Sequence, residues 1–384
     1  MNTLWEYKKI GDVCTVERGG SPRPIDKFIT EDENGINWIK IGDTTESMYI
    51  TKTEQKIIPE GIKKSRYVRP GDFLLSNSMS FGRPYILQID GCIHDGWLVL
   101  RDDSDFFDKR FLYYCLSSKT TYEKFKSMAV GGVVNNLNSE MVRNVLVPVP
   151  DRVEQCEIAD LLDKLTQIIS YRKNEIRLLD TLIKARFVEM FEDGNYPVVK
   201  LGEACKKITD GTHKTPNYLD EGITFISAKN IVNGELDFSD VKYISEEEYL
   251  VIQKRCQTEK SDILLSKSGS LGFPVIVKTD EKLGLFESLA VLKYEKDRFI
   301  PEFLCEQLKT DMVQRQFTSG TKGVAIKHLH LGVIANTDII VPPVEEQKEF
   351  AYFVHQVDKS KVAVQKALDE TQLLFDSLMQ EYFG

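Results

Sequence analysis

The chain has 384 residues, 42% of them hydrophobic and 28% charged, with a net charge of −9 and a pI of about 5.3. That length suggests two or three domains, and the balance of residue types is that of a globular chain rather than a disordered or fibrous one. No apolar run approaches the roughly 18 residues of a membrane span and "MNTLWEYKKIGD" has no apolar signal core, so no membrane role and a cytoplasmic location are expected; the acidity weighs against an overall basic nucleic-acid binder but leaves local patches open.

In chain order, the first 150 residues alternate short β-rich runs with turns. "INWIKI", "DFLLS", "WLVL" and "NVLVPV" read as strands bounded by Gly, Asn, Asp and Pro. A helix is expected around Lys109–Ser117. The first such turn is "GGSPRP" (Gly19–Pro24), and a second follows "DFLLSNSMSFGRP" (Asp72–Pro84). Trp38 and Trp97 sit in apolar runs and are expected in the core.

From Asp151 the pattern changes. Ile158, Leu162, Leu165, Ile169, Arg172, Ile176, Leu179, Ile183, Arg186 and Met190 alternate steps of four and three, the mark of a heptad seam. Asp151 and Glu154 form a capping-box pattern after Pro150. The helix is expected to run to about Phe191, where "FEDGNYP" breaks it. At 1.5 Å per residue, some 40 residues make a rod of roughly 60 Å.

The chain then begins again. "KIGDVC" returns as "KLGEAC", "GINWIKIGD" as "GITFISAKN", and "DFLLSNSMSFGRP" as "DILLSKSGSLGFP". "HDGWLVLR" is matched by "FESLAVLK", and "PVPDRVEQCEIADLL" by "PPVEEQKEFAYFV". The offset stays near 190 residues throughout, so the chain is a tandem duplication. A second seam follows through Phe350, Val354, Val357, Lys361, Val364, Leu368, Thr371, Phe375, Leu378 and Tyr382. The polar members Arg172, Arg186, Lys361 and Thr371 either fix register or lay their heads at the rim.

The expected fold class is α+β: two tandem globular α/β domains, residues 1–150 and 194–343, separated by two long helices, 151–193 and 344–384. Neither seam can be hidden by its own small domain, so the rods are expected to form an antiparallel coiled coil about a pseudo-two-fold axis. Two related domains held a fixed distance apart suit DNA with two short features a fixed distance apart. Seven dispersed cysteines without a C-x-x-C fit reduced, buried thiols rather than a disulfide frame or zinc site.

The pattern "GGSP…INWIKIGD…GDFLLS…GGVVNNLN…NVLVPVP…EQCEIA", repeated with "GTKGVAIKHL…DIIVPPVEEQKEFA", resembles the target-recognition domain and adjoining helix of Type I restriction–modification specificity subunits. The Pro-rich approach to Glu154-Gln155 and Glu346-Gln347 is its most specific element. The resemblance covers nearly the whole chain and implies a non-catalytic subunit that binds an asymmetric, two-part double-stranded DNA target, one part per recognition domain. It implies two methyltransferase (modification) subunits and restriction/translocase subunits as partners. S-adenosylmethionine, ATP and Mg would be bound by those partners, leaving no cofactor in this chain. The turns depart from the family pattern: "SPRPIDKF" lacks the frequent aromatic, and the second copy reads "DGTHKTP".

Base edges are read by Arg, Lys, Asn, Gln, Ser and Thr, and phosphates anchor the rest. In the first domain the candidates are Arg18, Ser21, Arg23 and Lys27 at the Gly-Pro turn, Asn77, Ser78, Ser80 and Arg83 in the repeated phrase, and Asn135, Asn136 and Asn138 in "AVGGVVNNLN". In the second they are Thr212, His213, Lys214, Lys267, Ser268, Ser270, Lys322, Lys327, His328 and His330. The shared serines, with Gly82 and Gly272, also fit a purely structural turn, whereas Asn77 against Lys267 and Arg83 against Phe273 differ inside a common frame. Glu154, Gln155, Glu346 and Gln347 are candidates for partner docking, or else helix caps. His328 and His330 lack the other ligands a metal needs, so no metal is expected. A fused methyltransferase would need an Asn/Asp-Pro-Pro-aromatic element, and Pro342-Pro343 lies between valines. A coiled-coil scaffold joining two protein-binding domains without DNA is the alternative.

Overall fold

The computed structural model of the chain describes residues 5–77, 81–129, 136–232, 234–269, 271–318 and 328–384. The chain divides into two compact units, residues 1–173 with 366–384, and residues 174–365. Each contains one globular domain and parts of both long helices, so the units do not follow the linear order of domain, rod, domain, rod.

In the first unit a five-stranded sheet runs in the order Thr15–Arg18, Trp97–Arg101, Phe73–Ser76, Pro84–Leu87, Tyr49–Ile50. The central strands are antiparallel, with Trp97 opposite Ser76. Their near-continuous apolar sequence is explained by burial on both faces. Alternation sends Phe73, Leu75, Leu98 and Leu100 to one core, with Phe111 and Leu112 of helix Lys109–Ser117 and Ile158 and Leu162 of the first long helix. It sends Leu74, Trp97 and Val99 to the other, against Ile39 and Ile93 of a second sheet. That sheet is ordered Ile29–Thr30, Gln55–Ile57, Ile36–Ile39, Gly91–Ile93, Arg66–Val68. The result is a layer of helices, a sheet whose central strands are buried on both faces, and an outer sheet. Trp38 and Trp97 are both buried.

The second unit repeats the plan with a shorter cast. Its central sheet is Cys205–Asp210, Leu289–Tyr294, Ile263–Ser266, Pro274–Ile276, all antiparallel. Its outer sheet is Lys242–Ile244, Ile223–Ile226, Leu283–Leu285. Here the sequence reading missed an element. "SEEEYLVIQKR" forms helix Glu246–Arg255, with Ser245 Oγ accepting from the Glu248 amide at 3.2 Å. Ser at the N-cap and three glutamates in the first turn are strong start signals. Tyr249 and Ile252 are buried against the domain, while Leu250 and Val251 lie exposed on the outer side with the charged residues.

The long helices span Arg152–Phe191 and Val344–Phe383. Asp151 Oδ1 accepts from the Glu154 amide at 2.9 Å and so caps the first. Within each unit the two helices run antiparallel. In the second unit Arg186 reaches Glu349 at 3.0 Å and Asp180 meets Lys361 at 2.7 Å. Two polar seam residues therefore bridge to the facing helix, while Thr371 bonds its own helix at Ala367 O (2.7 Å).

The end of each long helix closes a globular core. Phe191 packs on Phe303 at 4.9 Å and Phe350 at 5.6 Å. In the first unit the equivalent Phe383 packs on Phe111 at 5.3 Å, and Tyr382 stacks on Trp5. Aromatic pairs at such distances add to an already large burial term.

Candidate nucleic-acid interface

The repeated phrase builds one frame twice. In the first unit the Gly82 amide donates to Ser76 O at 2.8 Å and Ser76 Oγ accepts from the Arg83 amide at 3.0 Å. In the second, the Gly272 amide donates to Ser266 O at 2.8 Å and Ser266 Oγ accepts from the Phe273 amide at 2.9 Å. Gly82 and Gly272 have φ of 72° and 71°, a left-handed conformation that glycine adopts at no steric cost. Ser76, Ser266 and both glycines therefore preserve the turn.

The neighbouring turn is equally shared. Gly19 N–H bonds Trp97 O at 2.9 Å, and Gly211 N–H bonds Leu289 O at 3.3 Å. A methyl group at Gly19 would collide with the His94 carbonyl, and one at Gly211 with the Leu285 carbonyl. Asn77 N–H then bonds Gly96 O, and Lys267 N–H bonds Ser288 O. Finally Leu137 N–H bonds Asn77 O at 3.1 Å, as Leu329 N–H bonds Lys267 O at 2.8 Å. Three loops in each unit are thereby laced together by main-chain bonds at matching positions.

On that lacing the side chains differ. In the first unit they converge on Asp95. Ser21 Oγ donates to Oδ1 at 2.9 Å, and Arg23 Nη2 donates to Oδ2 at 3.1 Å. The Asp95 carbonyl accepts from Arg18 Nε at 3.2 Å and Asn77 Nδ2 at 2.9 Å. Partial burial alone would raise the Asp95 carboxyl. The bonds from Ser21 and Arg23 outweigh it and hold the group below its ordinary range. Arg83 lies over the Tyr85 ring at 5.3 Å. Arg18, Arg23, Lys27, Arg83, Asn136 and Asn138 are exposed, and Asn138 also caps helix Ser139–Arg143.

In the second unit the hub is Asp210. It takes Lys267 Nζ at 2.5 Å and is bonded by Arg255 Nη2. Burial pushes its carboxyl up, and Lys267 and Arg255 pull it down further, for a net lowering. The ring of His213 sits 3.4 Å from Asp210 Oδ2 and 2.5 Å from Glu287 Oε2. Thr212 Oγ1 accepts from the Lys214 amide at 3.1 Å. Ser268 is half-buried, His328 Nδ1 lies 3.1 Å from Lys267 O, and His213, Lys214, His328 and His330 are exposed.

Four expected contact residues are internal. Asn77 is 1% exposed and Lys267 6%, because Asn77 spends its amide on the Asp95 carbonyl and Lys267 its ammonium on Asp210 at the end of a strand. Gln155 and Gln347 are buried pins. Gln155 accepts from the Asp108 amide at 2.8 Å and donates to Pro150 O at 3.0 Å. Gln347 accepts from the Ile300 amide at 2.9 Å and donates to Pro342 O at 2.8 Å. The Pro…Glu-Gln signature thus ties the start of each long helix to its globular domain. Glu346 accepts from Tyr196 Oη at 2.6 Å, and Glu154 is half-exposed. Ser78, Ser80, Asn135, Ser270, Lys322 and Lys327 lie outside the described residues.

Asp95, Asp210, Arg255 and Glu287 escaped the sequence reading, which looked for donors rather than for what holds them. The paired stretches "HDGW" and "FESL" did carry a signal, an acid at the same offset in both copies. Cys14, Cys115, Cys205, Cys256 and Cys305 are pushed up to about 12 by burial, which makes them inert thiols. Among the described residues no helix is long and apolar enough to cross a membrane.

A duplicated module that laces three loops together by the same main-chain bonds and sets different side chains on them defines a protein built to read two related features. The model of the Type I restriction modification DNA specificity domain matches residues 2–178 and again 194–371, and the chain belongs to that family. It is similar to the Type I restriction enzyme EcoBI specificity subunit of Escherichia coli, 24% identical over 91% of this chain and 80% of that one. It is also similar to the MjaVIII specificity subunit of Methanocaldococcus jannaschii, 21% identical over 94% and 90%. Among solved structures, a chain from a study of assembly and conformational transition of the type I R-M system has the same fold. Its TM-score is 0.62, with 18% identity over 99% of this chain and 97% of that one. The Type I S subunit from M. genitalium gives a TM-score of 0.55, with 15% identity over 100% and 97%. The role of the chain is DNA sequence specificity in a Type I restriction–modification system.

Proposed function

We propose that the chain is a non-catalytic subunit that reads an asymmetric, bipartite double-stranded DNA target, one half per globular domain, with an unread gap between. The observation that carries this is one main-chain frame used twice with different side chains on it. Arg18, Arg23, Lys27 and Arg83 suit guanine edges and phosphates, and Asn136 and Asn138 suit adenine. In the second unit Lys214, His213, His328 and His330 are the exposed donors.

Two modification subunits and the restriction/translocase subunits would assemble on the same chain, in the cytoplasm, and would bind S-adenosylmethionine, ATP and Mg. Exposed Leu161, Ile168, Leu178 and Leu182 on the first long helix, with Val362 and Leu373 on the second, support a protein-docking role for the rods. With the modification partner present, DNA affinity should fall by about 10³–10⁵ between 50 and 200 mM salt if 6–10 phosphates are neutralised. A gel-shift salt series measures this, and an absence of DNA binding at every salt would favour the DNA-free scaffold.

A further inference from the structure

We propose that Asp95 and Glu287 are equivalent positioning carboxylates, each setting the turn donors that read one half of the DNA target. This rests on the DNA-reading function proposed above. Each lies two residues before the strand residue whose carbonyl anchors the glycine of the first turn, Trp97 for Gly19 and Leu289 for Gly211. Each also makes a main-chain link to that turn. The Asp95 amide donates to Ser21 Oγ at 3.3 Å, and the Glu287 amide donates to Thr212 O at 2.9 Å.

Their side chains hold the residues best placed to reach a base or a phosphate. Asp95 binds Ser21 and Arg23 through its carboxylate, and Arg18 and Asn77 through its carbonyl. Glu287 holds the His213 ring at 2.5 Å, opposite Asp210 at 3.4 Å. A carboxylate in such a place could instead accept from a cytosine amino group. Both Asp95 oxygens already accept from the turn, and a bare negative charge is repelled by phosphate, so the geometry favours positioning.

The position is the same while its clients differ, a short hydroxyl and a guanidinium in one unit and an imidazole in the other. A fixed acid can therefore orient whatever donor the adjacent turn supplies. The arrangement limits the rotamers of long side chains before DNA arrives, which removes part of the ordering cost of binding.

The test uses the full chain with its modification partners and a randomised duplex library, from which the bound two-part motif is read. Asp95→Asn should lower discrimination about tenfold at one or more positions of one half-motif and leave the other half intact in the same molecule. Asp95→Glu should restore part of the loss. Glu287→Gln should affect the opposite half. The unaffected half reports that the variant is folded. Unchanged motifs in both Asp95→Asn and Glu287→Gln would overturn the inference, as would equal weakening of both halves by one substitution. A wild-type complex that selects no two-part motif would overturn the DNA-reading function itself, a result distinct from either.

Discussion

The first unit places Arg18 where the second places Asp210, and Asn77 where the second places Lys267. The register is the same: Arg18 opposes Leu98, and Asp210 opposes Ala290, each one residue past the anchoring strand residue. At matched positions one copy has a cation and an amide, and the other has an anion and a cation. The first copy turns both residues, exposed Arg18 and buried Asn77, onto the Asp95 main-chain carbonyl. The second neutralises a buried carboxylate with Lys267 and Arg255. Because main-chain bonds carry the frame, the side-chain chemistry at matched positions can reverse in sign without loss of the fold. That is the physical condition for a family whose members read different sequences.

The comparison is most sharply broken by removing the residue at the shared position. Lys267→Met leaves Asp210 buried with the exposed Arg255 and His213 as its remaining ion-pair partners among the described residues. It should destabilise the second unit by about 3 kcal/mol, the lower end for breaking a buried pair. Asn77→Ala removes one bond to a carbonyl and should cost the first unit about 1–2 kcal/mol. All three tryptophans, Trp5, Trp38 and Trp97, belong to the first unit. Tryptophan fluorescence in urea therefore measures Asn77→Ala, and hydrogen exchange in strands Ile263–Ser266 and Leu289–Tyr294 measures Lys267→Met. Equal costs would mean that the two positions are not electrostatically different.

A smaller effect is expected with pH. Asp95 and Asp210 are both held below the ordinary carboxylate range, so each contributes stability above its unfolded value of about 3.9 and loses it only as pH falls through the lower folded value. Amide exchange in residues 18–23 and 210–214 should be no less protected at pH 5 than at pH 7 once corrected for intrinsic rates, and should loosen only below about pH 4. Loosening between pH 7 and 5 would mean that the carboxylates do not hold the turns.

Much of this was legible in the sequence. The duplication, the strands at "DFLLS" and "WLVL", and both heptad seams follow from period and repetition, because burial imposes a period that residue type cannot conceal. Helix Glu246–Arg255 was missed because "EEEY" reads as a charged run until Ser245 is recognised as its cap. The seam pattern named Arg186 and Met190, yet Phe187 and Phe191 carry the aromatic closure, since a rod end that plugs a domain core leaves the heptad. At the site, residue type alone could not separate exposed Arg83 from buried Lys267. Both are cations in polar loops, and only the placement of Asp210 decides which one is spent internally.

The most direct test of the account is exchange of residues 1–150 for the corresponding segment of another family member, followed by selection of the bound DNA from a randomised library. The account predicts that one half of the target changes to the donor's and the other half stays as it was. Alteration of both halves, or of neither, would contradict it.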